Sequence, residues 1–106
     1  MVDDGSKDRT WKLIEELHEK DERFAGVKLS RNRGHQNALL AGLFEAARRR
    51  CDAAISMDAD LQDDVDACDA MIERYMAGCD IVYGVRRHRA TDTFFKRTTA
   101  LGFIRL

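Results

Sequence analysis

The sequence has no proline, no repeat and no long apolar run. None of its 106 residues is Pro, and no hydrophobic stretch approaches the roughly 20 residues that a membrane-spanning helix needs. No basic segment followed by an apolar one marks a signal peptide at the start of the chain. These absences predict a soluble chain without a transmembrane segment of its own.

Cysteine is scarce as well. The three cysteines, Cys51, Cys68 and Cys79, are widely spaced and form no C-x-x-C motif. An odd, scattered set supports neither a disulfide framework nor a zinc site. We therefore expect the three cysteines to be small buried hydrophobic side chains of a protein in a reducing compartment. This predicts a cytoplasmic location.

Charge is balanced overall but unevenly distributed. Hydrophobic residues make up 44% and charged residues 35% of the chain, as expected for one globular domain over residues 1–106. The net charge of −1 argues against a nucleic-acid-binding protein. The last 21 positions nevertheless hold a single acid, Asp92, against these basic residues: Arg86, Arg87, Arg89, Lys96, Arg97 and Arg105.

Strand-like and helix-like segments alternate along the chain. The predicted strands are the tail at residues 1–2, then 25–29, 52–57 and 80–85. The first predicted helix begins at Ser6 or Asp8 and has apolar positions at Trp11, Ile14 and Leu17. Further helices are predicted over residues 35–50 and over residues 65–77, which end before Gly78, and a last helix-like segment begins at Thr93. Such alternation indicates an α/β fold with a mostly parallel sheet.

Two aspartates one residue apart follow the apolar strand that contains Ile55. Asp58 and Asp60 would lie at its carboxyl end, where ligands bind in open α/β sheets. Two carboxylates there suit a hard divalent ion, which in turn favours a phosphate-bearing substrate. The alternative is an ordinary acidic loop. No Lys or Arg lies between Arg50 and Arg74 to offset the acids, and we expect the later acids, Asp63, Asp64 and Asp66, to favour entry into the next helix.

Two further polar turns follow predicted strands. In the first, Asp4 can accept hydrogen bonds from a ribose or a base, while Gly5 permits a left-handed conformation; alternatively, the acids only stabilise the turn and the next helix. In the second, residues 30–34, Arg31 can face phosphate or remain solvated.

These motifs together resemble the family 2 inverting glycosyltransferases of GT-A fold. The resemblance is closest to the branch with dolichol-phosphate mannose synthase and bacterial polyprenyl-phosphate glycosyltransferases. It is carried, in order, by VDDGSKD (2–8), SRNRGHQ (30–36), ALLAGL (38–43), MDADLQD (57–63), DIVYGVR (80–86) and FFKR (94–97). Two positions depart from the family pattern: Asp64 replaces a usual proline, and Arg33 stands where an aromatic is common.

The resemblance implies roles for individual residues. Asp4 would contact the nucleotide, and the predicted nucleotide-binding residues also include Asp58 and, from its place in the second polar turn, Arg31. Mg²⁺ or Mn²⁺ would be held by the D-x-D pair Asp58 and Asp60, with Gln62 near the same ion. Arg86 and Arg97 would bind the acceptor phosphate. Alternatively, these two arginines only form a solvated basic face.

The resemblance also implies an activity. The parent protein would be a metal-dependent glycosyltransferase that moves a sugar from a nucleotide-sugar donor to a polyprenyl-phosphate acceptor at the cytoplasmic face of the membrane. The family's first strand would precede Met1 and its general base would follow Leu106, so this piece is expected to be a partial catalytic domain, inactive alone and prone to form homo-oligomers. The alternatives are a non-catalytic nucleotide- or phosphate-binding module and a transferase for soluble or polysaccharide acceptors.

Overall fold

A computed structural model of the chain describes residues 1–85 in full and residues 101–105 as main chain. The chain divides into two compact units, Met1–Arg50 and Cys51–Leu106, which are described separately below. In the described ranges, no helix has both the length and the apolar character needed to cross a bilayer.

The first unit is a β-α-β-α arrangement. Its elements are β1 (Val2–Asp3), α1 (Thr10–Lys20), β2 (Val27–Lys28) and α2 (His35–Arg48). β1 and β2 pair in parallel, with Val2 opposite Val27 and Asp3 opposite Lys28. The parallel pairing agrees with the sequence prediction, although β2 is shorter than the predicted segment 25–29.

Helix α1 follows the predicted apolar stripe. Its start is fixed by Asp8, whose carboxylate accepts hydrogen bonds from the Thr10 N–H at 2.9 Å and from the Thr10 hydroxyl at 2.6 Å. Ile14 is buried at 7% exposure, while Trp11 is half-buried and Leu17 largely exposed. The predicted face is therefore correct, and its burial is concentrated at Ile14.

Helix α2 begins at the predicted residue and ends two residues earlier than predicted. At its C-terminal end, Glu45 pairs with Arg48 at 2.7 Å and with Arg49 at 2.7 Å. Hydrogen bonds from Arg48 and then from Arg49 lower the pKa of Glu45 to about 2. Arg50 has a positive φ of 58°, which stops the helix.

The second unit contains three strands and one helix. Its elements are β3 (Ala53–Ile55), α3 (Ala67–Met76), β4 (Ile81–Gly84) and β5 (Leu101–Arg105). The strand order is β3-β5-β4, and β5 runs antiparallel to both neighbours. The predicted mostly parallel sheet is therefore wrong for this unit, although β3 and β4 run in the same direction on either side of β5.

The last segment was the main error of the sequence prediction. Residues 103–106 were expected to be helix-like, whereas Leu101–Arg105 form a strand that pairs on both edges. A short apolar run does not distinguish helix from strand by periodicity alone. Pairing with strands far away in sequence decides the outcome. Residues 86–100 and Leu106 lie outside the described residues.

Met71 on α3 forms the core of the second unit. Its side chain is 3% exposed, and it packs against partly buried neighbours: Ala53, Ile55, Ala67, Tyr75 and Val82. β3 is half-buried along its length. Gly78 ends the helix as predicted, with φ of 102° and its N–H donated to the Tyr75 carbonyl at 2.9 Å.

The predicted burial of the cysteines is wrong at two positions. Cys51 and Cys79 are exposed free thiols, because each lies in a connection just outside a regular element. Cys68 is half-buried on α3, and its Sγ lies 3.5 Å from the sulfur of Met57.

Candidate functional site

The turn between β1 and α1 is fixed by its own side chains. Asp3 is 2% exposed, and its Oδ1 accepts a hydrogen bond from the Ser6 N–H at 3.0 Å. Gly5 has φ of 73°, the left-handed conformation predicted from the sequence. Asp4 is therefore presented, half-buried, at the carboxyl end of β1.

The turn between β2 and α2 is ordered in a similar way. The Asn32 Oδ1 accepts a hydrogen bond from the Gly34 N–H at 3.0 Å, and the Asn37 side chain donates to the Arg33 carbonyl at 2.8 Å. Arg31 and Arg33 are exposed. The turn thus has a defined main-chain path and presents two guanidinium groups to solvent.

These two turns contact each other. The main-chain N–H of Arg33 donates to the Asp4 Oδ1 at 2.7 Å, although 29 residues separate them. A Cβ built on Gly5 would lie 2.5 Å from the Asn32 nitrogen and 2.6 Å from the Arg31 carbonyl carbon. Asp4 and Arg31, both predicted to bind nucleotide, therefore lie on adjoining turns at the same edge of the β1–β2 sheet.

The third turn follows β3 and carries the D-x-D pair. Asp58 and Asp60 are both exposed. The Asp60 Oδ1 accepts the Gln62 N–H at 3.0 Å, and Leu61 between them has a positive φ of 60°. This tight turn holds the Asp60 carboxylate next to the Gln62 main chain and presents all three polar side chains outward.

Asp63 has a role that the sequence analysis missed. It was assigned to helix entry, but its Oδ2 accepts a hydrogen bond from the main-chain N–H of Asp58 at 3.1 Å. Asp64, by contrast, accepts the Asp66 N–H at 3.0 Å just before α3, which agrees with helix entry. Asp63 therefore closes the acidic turn, and no residue-type signal distinguishes it from its neighbours.

The donor set of this turn is compatible with part of a metal shell. Within residues 1–85, no group of three or more His, Cys, Asp or Glu side chains is placed to hold an ion. Mg²⁺ is commonly bound by one or two carboxylates, with water and substrate phosphates completing the octahedron. Asp58 and Asp60, with Gln62 on the same turn, offer donors of that kind.

The predicted acceptor residues cannot be placed. Arg86 and Arg97 lie outside the described residues. Their assignment stays a prediction from charge and resemblance.

Comparison with known proteins identifies the family. The profile of glycosyl transferase family 2 matches residues 1–104. The chain belongs to this family. The resemblance drawn from the motifs is thereby confirmed, and family membership implies the GT-A fold.

Several relatives align over the whole chain. It is 60% identical over 106 residues to an uncharacterized glycosyltransferase, YkoT, of Bacillus subtilis, covering 100% of this chain and 31% of that protein. It is 43% identical to the uncharacterized glycosyltransferase YkcC of the same organism, covering 100% and 32%. It is 40% identical to the bactoprenol glucosyl transferase of Shigella phage SfV, covering 100% and 34%. The chain thus spans about a third of the length of these relatives.

Proposed function

We propose that the protein containing this chain is a metal-dependent inverting glycosyltransferase that moves a sugar from a nucleotide-sugar donor to a polyprenyl phosphate. The observation that carries the proposal is the exposed Asp58–Asp60 turn at the end of β3 in a chain of this family. Carboxylates at that place suit a divalent ion shared with a diphosphate.

The donor is assigned to the three turns described above. Asp4 is assigned as the acceptor of a hydrogen bond from the nucleoside, and Arg31 and Asp58 are assigned to the nucleotide from their residue types and their places in the family motifs. Asp58, Asp60 and Gln62 would hold Mg²⁺ or Mn²⁺, and the ion would supply stabilisation of negative charge on the nucleoside diphosphate leaving group. Asp63 fixes the main chain at Asp58 and so helps to place that carboxylate.

The acceptor is assigned from a relative and from charge. The phage SfV relative is named for a bactoprenol substrate, and the basic C-terminal segment suits an anionic lipid phosphate. Arg86 and Arg97 position that phosphate so that its oxygen attacks the anomeric carbon from the face opposite the leaving group. Because the proposed acceptor is a membrane lipid, the proposed reaction takes place at a membrane surface, and we assign it to the cytoplasmic face.

Calorimetry on the intact protein tests the proposal. Nucleoside diphosphate, titrated with and without Mn²⁺, should bind in a metal-dependent way. Asp60→Ala should weaken that binding at least about tenfold, since a direct ligand is lost. Asp52→Ala is the matched control, because Asp52 is an exposed aspartate at the opposite end of the same strand. Equal affinity in wild type and Asp60→Ala would reject the site.

A further inference from the structure

We infer that the main chain of the β2–α2 turn is a positioning element for Asp4, with the Arg33 N–H as its acting group. The inference rests on the proposed function insofar as Asp4 meets the nucleoside. It adds a second turn to the nucleotide site and assigns a role to Arg33 that does not depend on its side chain.

The first support is the hydrogen bond itself. The Arg33 N–H donates to the Asp4 Oδ1 at 2.7 Å, within the range of charge-assisted hydrogen bonds. The main chain of Asp4 is already constrained by the Asp3–Ser6 hydrogen bond and by the left-handed Gly5. The remaining freedom of Asp4 is rotation of its side chain, and the bond from Arg33 removes it.

The second support is that the two carboxylate oxygens of Asp4 have different roles. Within the described part of the chain, the only hydrogen bond to the Asp4 carboxylate is the one to Oδ1. Asp4 is half-buried, and an ionised carboxylate oxygen such as its Oδ2 offers only an acceptor. A ligand that uses this oxygen must bring an N–H or O–H donor of its nucleoside.

The third support is the close seating of Gly5. A Cβ there would lie 2.5 Å from the Asn32 nitrogen and 2.9 Å from the Arg31 Cα. These are main-chain atoms that cannot rotate away, so any side chain at this position would push the two turns apart. The short approach that lets Arg33 reach Asp4 thus requires glycine at position 5.

This arrangement accounts for a departure noted in the sequence. Arg33 replaces an aromatic that is common in the family branch. Its side chain is exposed, and the group that contacts Asp4 belongs to the main chain. The contact is therefore preserved whichever side chain stands at this position, other than proline.

Amide hydrogen exchange at Arg33, measured on the intact protein with residue resolution, tests the contact directly. Asp4→Ala removes the acceptor and should speed exchange of the Arg33 amide at least about tenfold, as expected for loss of a hydrogen bond to a charged group. Asp4→Asn keeps an oxygen for Arg33 and should retain most of the protection. Unchanged exchange in Asp4→Ala would overturn the inference.

The same variants separate positioning from ligand contact. Asp4→Asn can satisfy Arg33 with its oxygen, but it then presents an NH₂ donor where the nucleoside needs an acceptor. Calorimetry with uridine and guanosine diphosphates plus Mn²⁺ should therefore show weakened binding in both Asp4 variants. Asp4→Asn that loses Arg33 protection yet binds nucleotide like wild type would contradict the assignment of the two oxygens.

Gly5→Ala tests whether the close approach of the β1–α1 and β2–α2 turns is needed when Asp4 itself is unchanged. It should weaken nucleotide binding and speed Arg33 exchange. Gly78→Ala is the matched control, since Gly78 also has a positive φ, of 102°, but no atom of the described residues lies within 4 Å of its added Cβ. Gly5→Ala with wild-type binding and exchange would overturn the inference; if it fails to fold, the Asp4 exchange comparison decides alone.

Failure of the proposed function would look different. A wild-type protein that binds no nucleoside diphosphate, with Arg33 protection still lost in Asp4→Ala, would reject the nucleotide site and leave the anchoring of Asp4 supported. If nucleotide binds but exchange of the Arg33 amide is unchanged in Asp4→Ala, the nucleotide site is supported and the anchoring of Asp4 by Arg33 is rejected.

Discussion

Gly26 lies so close to Ile14 that a Cβ on Gly26 would stand 2.6 Å from the Ile14 Cγ2. The same atom would lie 2.9 Å from the Trp11 ring. Because Ile14 is the buried residue of α1, the segment leading into β2 can approach the helix only without a side chain at this position.

Gly26→Ala should therefore destabilise the chain by about 1–3 kcal/mol, the usual cost of overpacking. Urea unfolding followed by circular dichroism measures the change. In an Ile14→Ala background the contacting Cγ2 is absent, so Gly26→Ala should cost less there. Equal costs in both backgrounds would show that the contact with Ile14 is not the cause.

Met71 provides a second test of stability. Met71→Ala should lower the free energy of unfolding by about 2–5 kcal/mol, because it empties the centre of the cluster around α3. Met76→Ala is the control on the same helix, since Met76 is 77% exposed and its truncation should change stability by less than about 0.5 kcal/mol. Similar losses in the two variants would contradict the assignment of the core.

The ion pairs of Glu45 predict that the C-terminal end of α2 is sensitive to acid. Its pKa is lowered from 4.5 to about 2 by Arg48 and Arg49. A lowered pKa in the folded state contributes stability that is present above about pH 4.5 and is lost as the pH falls towards 2. NMR titration of the Glu45 carboxyl carbon should give a midpoint near 2. In Arg48→Ala/Arg49→Ala the midpoint should rise towards 4.5, and an unchanged midpoint would contradict the pairing.

The basic C-terminal segment can be tested in the intact enzyme. Arg86→Ala and Arg97→Ala should each raise the KM for polyprenyl phosphate about tenfold, as expected when a charge-assisted hydrogen bond is lost, with a smaller effect on the KM for the sugar donor. Arg74→Ala, an exposed arginine at the end of α3, should change neither. Equal effects on both substrates would favour a solvated basic face for Arg86 and Arg97.

Local sequence signals were sufficient for much of the fold. Helix α1 was found from apolar spacing, and the end of α3 before Gly78 was predicted correctly. Gly5 was correctly expected to permit a left-handed conformation. These features depend on residues within a few positions of one another, so the sequence carries them directly. The family motifs located the turns that bear Asp4 and Asp58 in the same way.

Apart from the exposure of Cys51 and Cys79, the main errors and omissions involve partners that are distant in sequence or belong to the main chain. Strand β5 exists because it pairs with residues of β3 and β4, which no local pattern shows. The Arg33 N–H is present in every residue except proline, so its contact with Asp4 has no signature in residue type. Asp63 contacts a main-chain group of Asp58, and its identity alone does not separate it from Asp64.

The order of strands in the second unit has a consequence during synthesis on the ribosome. Ala53 pairs with Arg105 and Ile81 pairs with Ile104. Neither β3 nor β4 can therefore pair with β5 until about 50 residues after Ile55 have been translated. At roughly 5–20 residues per second, that delay is about 3–10 s. The nascent β3 and the acidic turn beyond it are exposed to chaperones and proteases for that time, while β1 and β2 of the first unit can already pair.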